Sequence, residues 1–289
     1  MPEWFFQFPF EFTFDVGVID VAIRAFRDHF DTFFDTIAFA LIRSVGMVRS
    51  LLNFLPWWLL MALVFWRGWK VSGKIRQGIL YAVLLSFIGA FGLWGLMNHT
   101  LAIVIVAVIL AVIIGFPLGV LIAGSDRANR ICLPILDTMQ TMPVFVYLIP
   151  AIVFFGIGTA PAVIATTIYA VVPLIRLTNL GIRQIDVEVV EAAKAFGSTK
   201  MQALVKVQIP QAMPTIKAGL NQTLMMAMAM VVTGSMVGAG GLGMEILMAV
   251  TRIEMGMGII AGTCVVIVAV LLDRLMQSSA KGGTTGQNE

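Results

Sequence analysis

A helix needs about 20 consecutive apolar residues to cross about 30 Å of hydrocarbon. Seven stretches of this chain approach or reach that length: roughly 51–66, 78–97, 100–123, 135–156, 161–180, 215–236 and 256–273. Of 289 residues, 59% are hydrophobic and only 12% charged, about half the charged share of an average soluble domain. Inside lipid every backbone N–H and C=O must find a partner within its own segment, so such stretches adopt helices. The reading is an all-α polytopic membrane protein of about seven transmembrane helices. The first stretch is the weakest, because Asn53 and Pro56 lie near its start. Trp57, Trp58, Trp66 and Trp69 nevertheless bracket it as an interfacial aromatic belt does.

Lys and Arg are retained on the cytoplasmic side of a membrane. Arg67, Lys70, Lys74 and Arg76 therefore put the 67–77 loop inside. Alternation then places Asn98 and His99 outside, Arg127 and Arg130 inside, the 157–160 turn outside, the 181–213 loop inside and 238–254 outside. The N-terminus is predicted outside and the C-terminus, with Arg274 and Lys281, inside. Ahead of the spans, Ile19, Ile23, Phe26, Phe30, Phe33, Ile37 and Leu41 recur every three or four positions, while Asp20, Arg24, Arg27, Asp28, Asp31 and Asp35 share another face. This spacing predicts an amphipathic helix over 16–48, too charged to cross and suited to the outer interface. Residues 1–50 thus read as an exterior extension, 51–275 as the transmembrane domain and 276–289 as a short cytoplasmic tail. The opening residues have neither a basic start nor a small-residue cleavage site, so no cleaved signal peptide is expected.

No catalytic set emerges. Cys132 and Cys264 are far apart in apolar stretches, and His29 and His99 have neither metal-site spacing nor a nucleophile and acid beside them. Neither enzyme activity nor a metal or cofactor is expected in this chain. The basic residues are scattered rather than striped, which argues against nucleic acid as a partner. Gly238, Gly240 and Gly243 spell G-x-G-x-x-G, but they follow an apolar span rather than a strand, so they read as a helix break where backbones pack closely. No Walker loop is present, so ATP and Mg would have to be bound by a partner.

The informative segment is the interior loop 184–214. Asp186 can cap a helix carrying Glu188 and Glu191 in its first turns, where acids complement the helix dipole. Ala192, Ala193 and Ala195 follow, Gly197 supplies a left-handed stop, and Thr199 with Gln202 forms a capping box for a second helix. That second helix is expected to end at Pro210, and Pro214 to open the next span. Small side chains on a capped turn offer a surface that another protein can approach closely.

These residues carry a family resemblance. Glu191-Ala192-Ala193, three residues, Gly197, nine residues, Val207, one residue, Ile209-Pro210 resembles the EAA loop of ABC importer permeases, with Val for Ile and Ile for Leu as conservative departures. The runs Leu136–Pro150, Phe155–Gly158 and Ala218–Met225 resemble the permease subunit of proline/glycine betaine importers in particular. The likeness covers about residues 78–275. It implies a methionine-importer-like, type I ABC permease fold in the bacterial cytoplasmic (inner) membrane, working as two copies with two ATP-binding subunits. It also implies an extracytoplasmic substrate-binding protein, expected as a separate chain or lipoprotein because no binding domain follows Asp273. Glu191, Ala192, Ala193, Gly197, Val207, Ile209 and Pro210 would then couple to the ATPase.

Polarity within the spans is mostly uncharged. Gln140, Met142, Tyr147, Asn221, Gln222, Met225 and Met228 are the candidate lining of a pathway, and no basic lining suited to a strongly ionic cargo is present. The pattern fits a zwitterion or a compact polar solute. The resemblance implies glycine betaine, proline, choline, carnitine or trimethylamine N-oxide, among which the residues do not choose. Alternatives are another small zwitterion such as an amino acid, or an ion-coupled secondary transporter, which would want ionisable residues in mid-membrane.

Overall fold

The computed structural model describes residues 16–281, and within them the chain is a succession of helices joined by tight turns, with no strand. α1 covers Val16–His29 and α2 Asp31–Phe54. α3 (Trp57–Ser72) and α4 (Ile75–Ala90) form a hairpin, and α5 (Trp94–Ala123) is 30 residues long. α6 (Asp126–Thr141) and α7 (Phe145–Phe155) precede α8 (Thr159–Arg183). Then come α9 (Val187–Ala195), α10 (Lys200–Ala203), α11 (Ile209–Ser235), α12 (Leu242–Arg252) and α13 (Met255–Lys281). Residues 1–15 and most of the expected 276–289 tail lie outside the described residues.

Each apolar stretch read from the sequence is helical, but several breaks fall elsewhere. Pro56 caps α3 and divides the 51–66 stretch, while Pro143 divides 135–156 by forcing Met142 into extended backbone. The axes of α6 and α7 consequently meet at 91°. Gly92, at φ +71°, turns the chain after α4, so Asn98 and His99 belong to the first turns of α5 rather than to a loop. Among the described residues, four helices can cross a membrane by length and composition, namely α2, α5, α8 and α13 up to Met276, or five with α6 and α7 as one broken span. About seven were expected. The difference arises because α3 and α4 have only 16 residues each, and because Lys217, Asn221, Gln222 and Thr223 make the 27-residue α11 more polar.

The expected single amphipathic helix over 16–48 is two helices. The chain turns at Phe30, and α2 runs past the anticipated boundary at residue 50 to Phe54. It buries Leu41 and Val45 beside Ala102, Ile103 and Val106 of α5. Although α2 has the length and composition of a span, both its ends reach the same end of the bundle. Phe34 stacks on Phe154 at 4.9 Å, just before the α7–α8 turn, and Asn53 pairs with Asn98 near the start of α5. A helix of 24 residues, ~36 Å long, therefore lies across that end.

α8 is the centre of the bundle: 72% of its most apolar window is buried, against 11% for α2. Lipid tails are as apolar as leucine, so helices in a membrane associate through close packing of small residues rather than through the hydrophobic effect. Glycines serve that purpose on both sides of α8. A Cβ at Gly119 of α5 would stand 2.6 Å from Thr178 Cβ, and one at Gly219 of α11 would stand 3.0 Å from Leu177 Cβ. α5 and α11 are thereby locked to two neighbouring faces of α8, both reaching Leu174.

Candidate functional site

The segment between α8 and α11 stands out from the bundle as a doubly capped turn. The Asp186 carboxylate accepts from the Glu188 N–H at 3.0 Å and starts α9. At the other end Gly197, at φ +83°, closes a Schellman motif, in which Ser198 N–H donates to Ala193 C=O at 3.1 Å and Gly197 N–H to Lys194 C=O at 2.8 Å. A Cβ at Gly197 would meet nothing within 4 Å, so glycine is required there by the backbone angle and not by space. Thr199 and Gln202 then form the reciprocal capping box at 2.9 and 3.3 Å. Each of these devices matches the local reading of the sequence.

Pro210 does not end the second helix. The chain widens to a π-turn over Leu204–Gln208, in which Ile209 N–H reaches back to Leu204 C=O, and α10 passes through it into α11. Pro210 sits in the first turn of α11, where its missing N–H leaves no gap, and Pro214 lies inside that helix instead of opening it. α9 is thus tied to α8 through Gln184–Asp186 and to α11 through a short turn and continuous helix. Near its base, Gly181 of α8 packs against Ala212 and Thr215 of α11.

The surface of this loop is unusually apolar for an exposed turn. Glu191, Ala192 and Gly197 are open and Ala193 half-buried; Val207 and Ile209 are half-buried and Pro210 open. Around them Phe196 is 90% exposed, Met201 67% and Val187 65%. The sequence reading did not single out Phe196. Its signal was an aromatic residue directly before the left-handed glycine, a position that projects it from the turn.

The seven candidate pathway residues fall into separate groups. At the α6–α7 bend the Tyr147 phenol donates to Met139 C=O at 2.5 Å and lies 3.6 Å from the Met142 sulfur, with Gln140 in the same last turn of α6. On α11, Gln222 and Met225 are open, in an exposed row with Ala218 and Ala229. Asn221 is turned to α13 instead, its amide donating to Asp273 Oδ1 at 2.7 Å. Met228 is buried with Leu85, Ile88 and Val231, so it packs the core of this chain rather than facing an opening.

At the opposite end of the bundle, three consecutive residues of α5 hold distant segments. Asn98 Nδ2 donates to Asn53 Oδ1 at 2.8 Å, the His99 ring bonds Ala239 C=O at 2.8 Å through Nε2, and Thr100 Oγ1 accepts from Leu242 N–H at 2.8 Å. A carbonyl only accepts, so His99 Nε2 carries the proton. The Gly238–Gly241 turn, with φ of +83°, +76° and +78° at Gly238, Gly240 and Gly241, is pinned under this triplet. The close-packing reading of G-x-G-x-x-G agrees with Gly243, where a Cβ would stand 2.2 Å from Ser235 Oγ.

A helical bundle with long apolar helices, a broken span and an exposed small-residue turn between its two central helices defines a membrane permease subunit. The chain belongs to the family described as binding-protein-dependent transport system inner membrane component, whose model matches residues 115–282. It is 46% identical over 263 residues to the glycine betaine transport system permease protein OpuAB of Bacillus subtilis (strain 168), covering 90% of this chain and 92% of the relative. The glycine betaine/proline betaine transport system permease protein ProW of Escherichia coli (strain K12) is also 46% identical, over 76% of this chain and 62% of its own length. Among solved structures, an inward-facing MetNI methionine ABC transporter chain is 26% identical with a TM-score of 0.53, covering 63% of this chain and 90% of that one. An amino acid ABC transporter chain, at 20% identity and a TM-score of 0.57, covers 69% and 98% and shares the fold. The architecture is that of type I ABC permeases.

Proposed function

We propose that this chain is the non-catalytic translocating subunit of an ATP-driven importer for glycine betaine or a closely related solute such as proline betaine, carnitine or trimethylamine N-oxide. In this reading two copies form the pathway, two ATPase subunits bind ATP and Mg and dock on the α9–α10 turn, and an external binding protein delivers the solute. The N-terminus lies outside and the C-terminus inside. The observation that carries the reading is the exposed EAA turn, sited between the two central helices of a chain 46% identical to a glycine betaine permease over 90% of its length.

The geometry supplies a mechanism. When the ATPase subunits close, α9 is displaced, and because it is joined to both α8 and α11 it moves the pair that the Gly181 and Gly219 contacts lock together. Rocking that pair opens one end of the pathway as the other closes. A solute whose charges cancel passes uncharged polar groups such as Gln140, Tyr147 and Gln222 without the tight binding that would trap it.

Reconstitution into vesicles with the ATPase and the binding protein tests the reading. Labelled glycine betaine should accumulate only when ATP is supplied on the ATPase side and the binding protein on the other. Accumulation driven by an ion gradient without ATP would overturn it. Orientation has its own check: with Cys132 and Cys264 replaced, an impermeant thiol reagent added outside cells should label Asp20→Cys and not Glu188→Cys, and the reverse pattern would invert the topology.

A further inference from the structure

α6 and α8 run antiparallel, and polar contacts join them at three levels. Arg183, the last residue of α8, bonds the Asp126 carboxylate at the start of α6 and donates to Ala123 C=O at 3.2 Å. One turn further along, Asn179 Nδ2 donates to Asn129 Oδ1 at 2.7 Å. Beyond that, Arg176 forms an ion pair with Asp137. Positions 176, 179 and 183 share one face of α8, and 126, 129 and 137 share one face of α6, so the three contacts form a single seam. Leu136 is the only fully buried residue of α6 among those described. α6 is therefore attached to α8 by charge and amide bonds beside one small apolar cluster, in which Leu136, Cys132 and Met139 meet Val171, Val172 and Ile175.

The geometry points to Arg176, Asn179 and Arg183 as positioning residues that carry the movement of the coupling turn from α8 into α6, and so to the α6–α7 bend where Tyr147 is held. An apolar helix interface can slide by a fraction of a turn with little penalty. A polar seam resists a slip, because sliding parts the two ion pairs and leaves the buried Asn179 amide without its partner, where an unpaired polar group is costly. α6 must follow α8. The seam ends at residue 183 and α9 begins at 187, so it lies directly above the turn on which the ATPase is proposed to dock. The inference rests on the transport reading and adds a second route for the same displacement, beside the α8–α11 pair.

The test uses the full complex of permease, ATPase and binding protein in vesicles, and reads solute moved per ATP hydrolysed. Arg176→Gln and Asn179→Ala should each lower that ratio by about 2- to 30-fold, the range for residues along a coupling network, while the ATPase stays bound and ATP is still hydrolysed. The exchange of both partners, Asp137→Arg with Arg176→Asp, should recover much of the ratio lost by Arg176→Gln, because the attachment is restored with the charges reversed. A residue with a merely structural role would lower the yield of assembled complex and leave the ratio of surviving complexes at the parental value; that outcome, or single variants with an unchanged ratio, would overturn the inference. If the parental complex itself shows no ATP-driven uptake, the transport reading fails and this one with it. If the parent transports and only the variants disagree, this one fails alone.

Discussion

The two ends of the bundle are built by opposite means. At the coupling end, α9 and α10 are shaped by hydrogen bonds between residues two to five apart, and Val187, Phe196 and Met201 stand open. At the far end, Asn98, His99 and Thr100 reach partners 45, 140 and 142 residues away, and Asn98 and Thr100 are almost wholly enclosed. The first construction keeps its shape without help and leaves its surface for a partner. The second encloses its central Asn98 and Thr100 and fixes helices against one another. Damage should accordingly show as lost stability at the far end and as lost assembly or coupling at the near end.

The sharpest way to break that contrast is to crowd the far clamp. A Cβ at Gly241 would stand 2.5 Å from Thr100 Oγ1 on a backbone at φ +78°. Gly241→Val should therefore cost about 2–5 kcal/mol, from overpacking together with the left-handed backbone, and lower the unfolding midpoint in detergent. Asn98→Leu comes next: it removes the hydrogen bond to the exposed Asn53, at about 1 kcal/mol, read in the same melt. An unchanged melt in both would show that the clamp does not hold the bundle.

At the coupling end Gly197→Val should cost about 1–2 kcal/mol locally for the left-handed residue, with little effect on the global melt but a clear loss of co-purified ATPase. Thr199→Ala removes one arm of the capping box and should cost about 1 kcal/mol, weakening ATPase retention less than Gly197→Val does. If these two variants melted early and still held the ATPase, the two ends would not differ in the way described.

The same contrast explains what the sequence disclosed. Asp186, Gly197 and the Thr199–Gln202 pair were legible because their partners are a turn away and their geometry follows from residue type. The apolar stretches announced the helices for the same reason. Asn98 and His99 read as an exterior loop, because nothing in neighbouring residues reveals that Asn53 and Ala239 wait for them in space. The α6–α8 seam was hidden likewise, since Asn129 and Asn179 are ordinary until the helices are set side by side. Pro210 misled in the other direction: the rule that proline ends a helix is sound, but a π-turn absorbed the missing donor. The continuation of α2 to Phe54 follows from its packing on α5, and the turn at Phe30 sets Phe26 and Phe34 on either side against Phe154 of α7, contacts that periodicity does not report.

The central claim is that the α9–α10 turn is the surface through which an ATPase drives this chain, and Phe196 tests it most directly because its removal disturbs nothing else. The side chain is 90% exposed, so Phe196→Asp should leave the melt of the isolated permease within about 0.5 kcal/mol of the parent. Affinity-purified Phe196→Asp permease should then retain far less ATPase than the parent, and uptake should fall with it. Parental retention and uptake in that variant, and in Ala193→Trp beside it, would contradict the account.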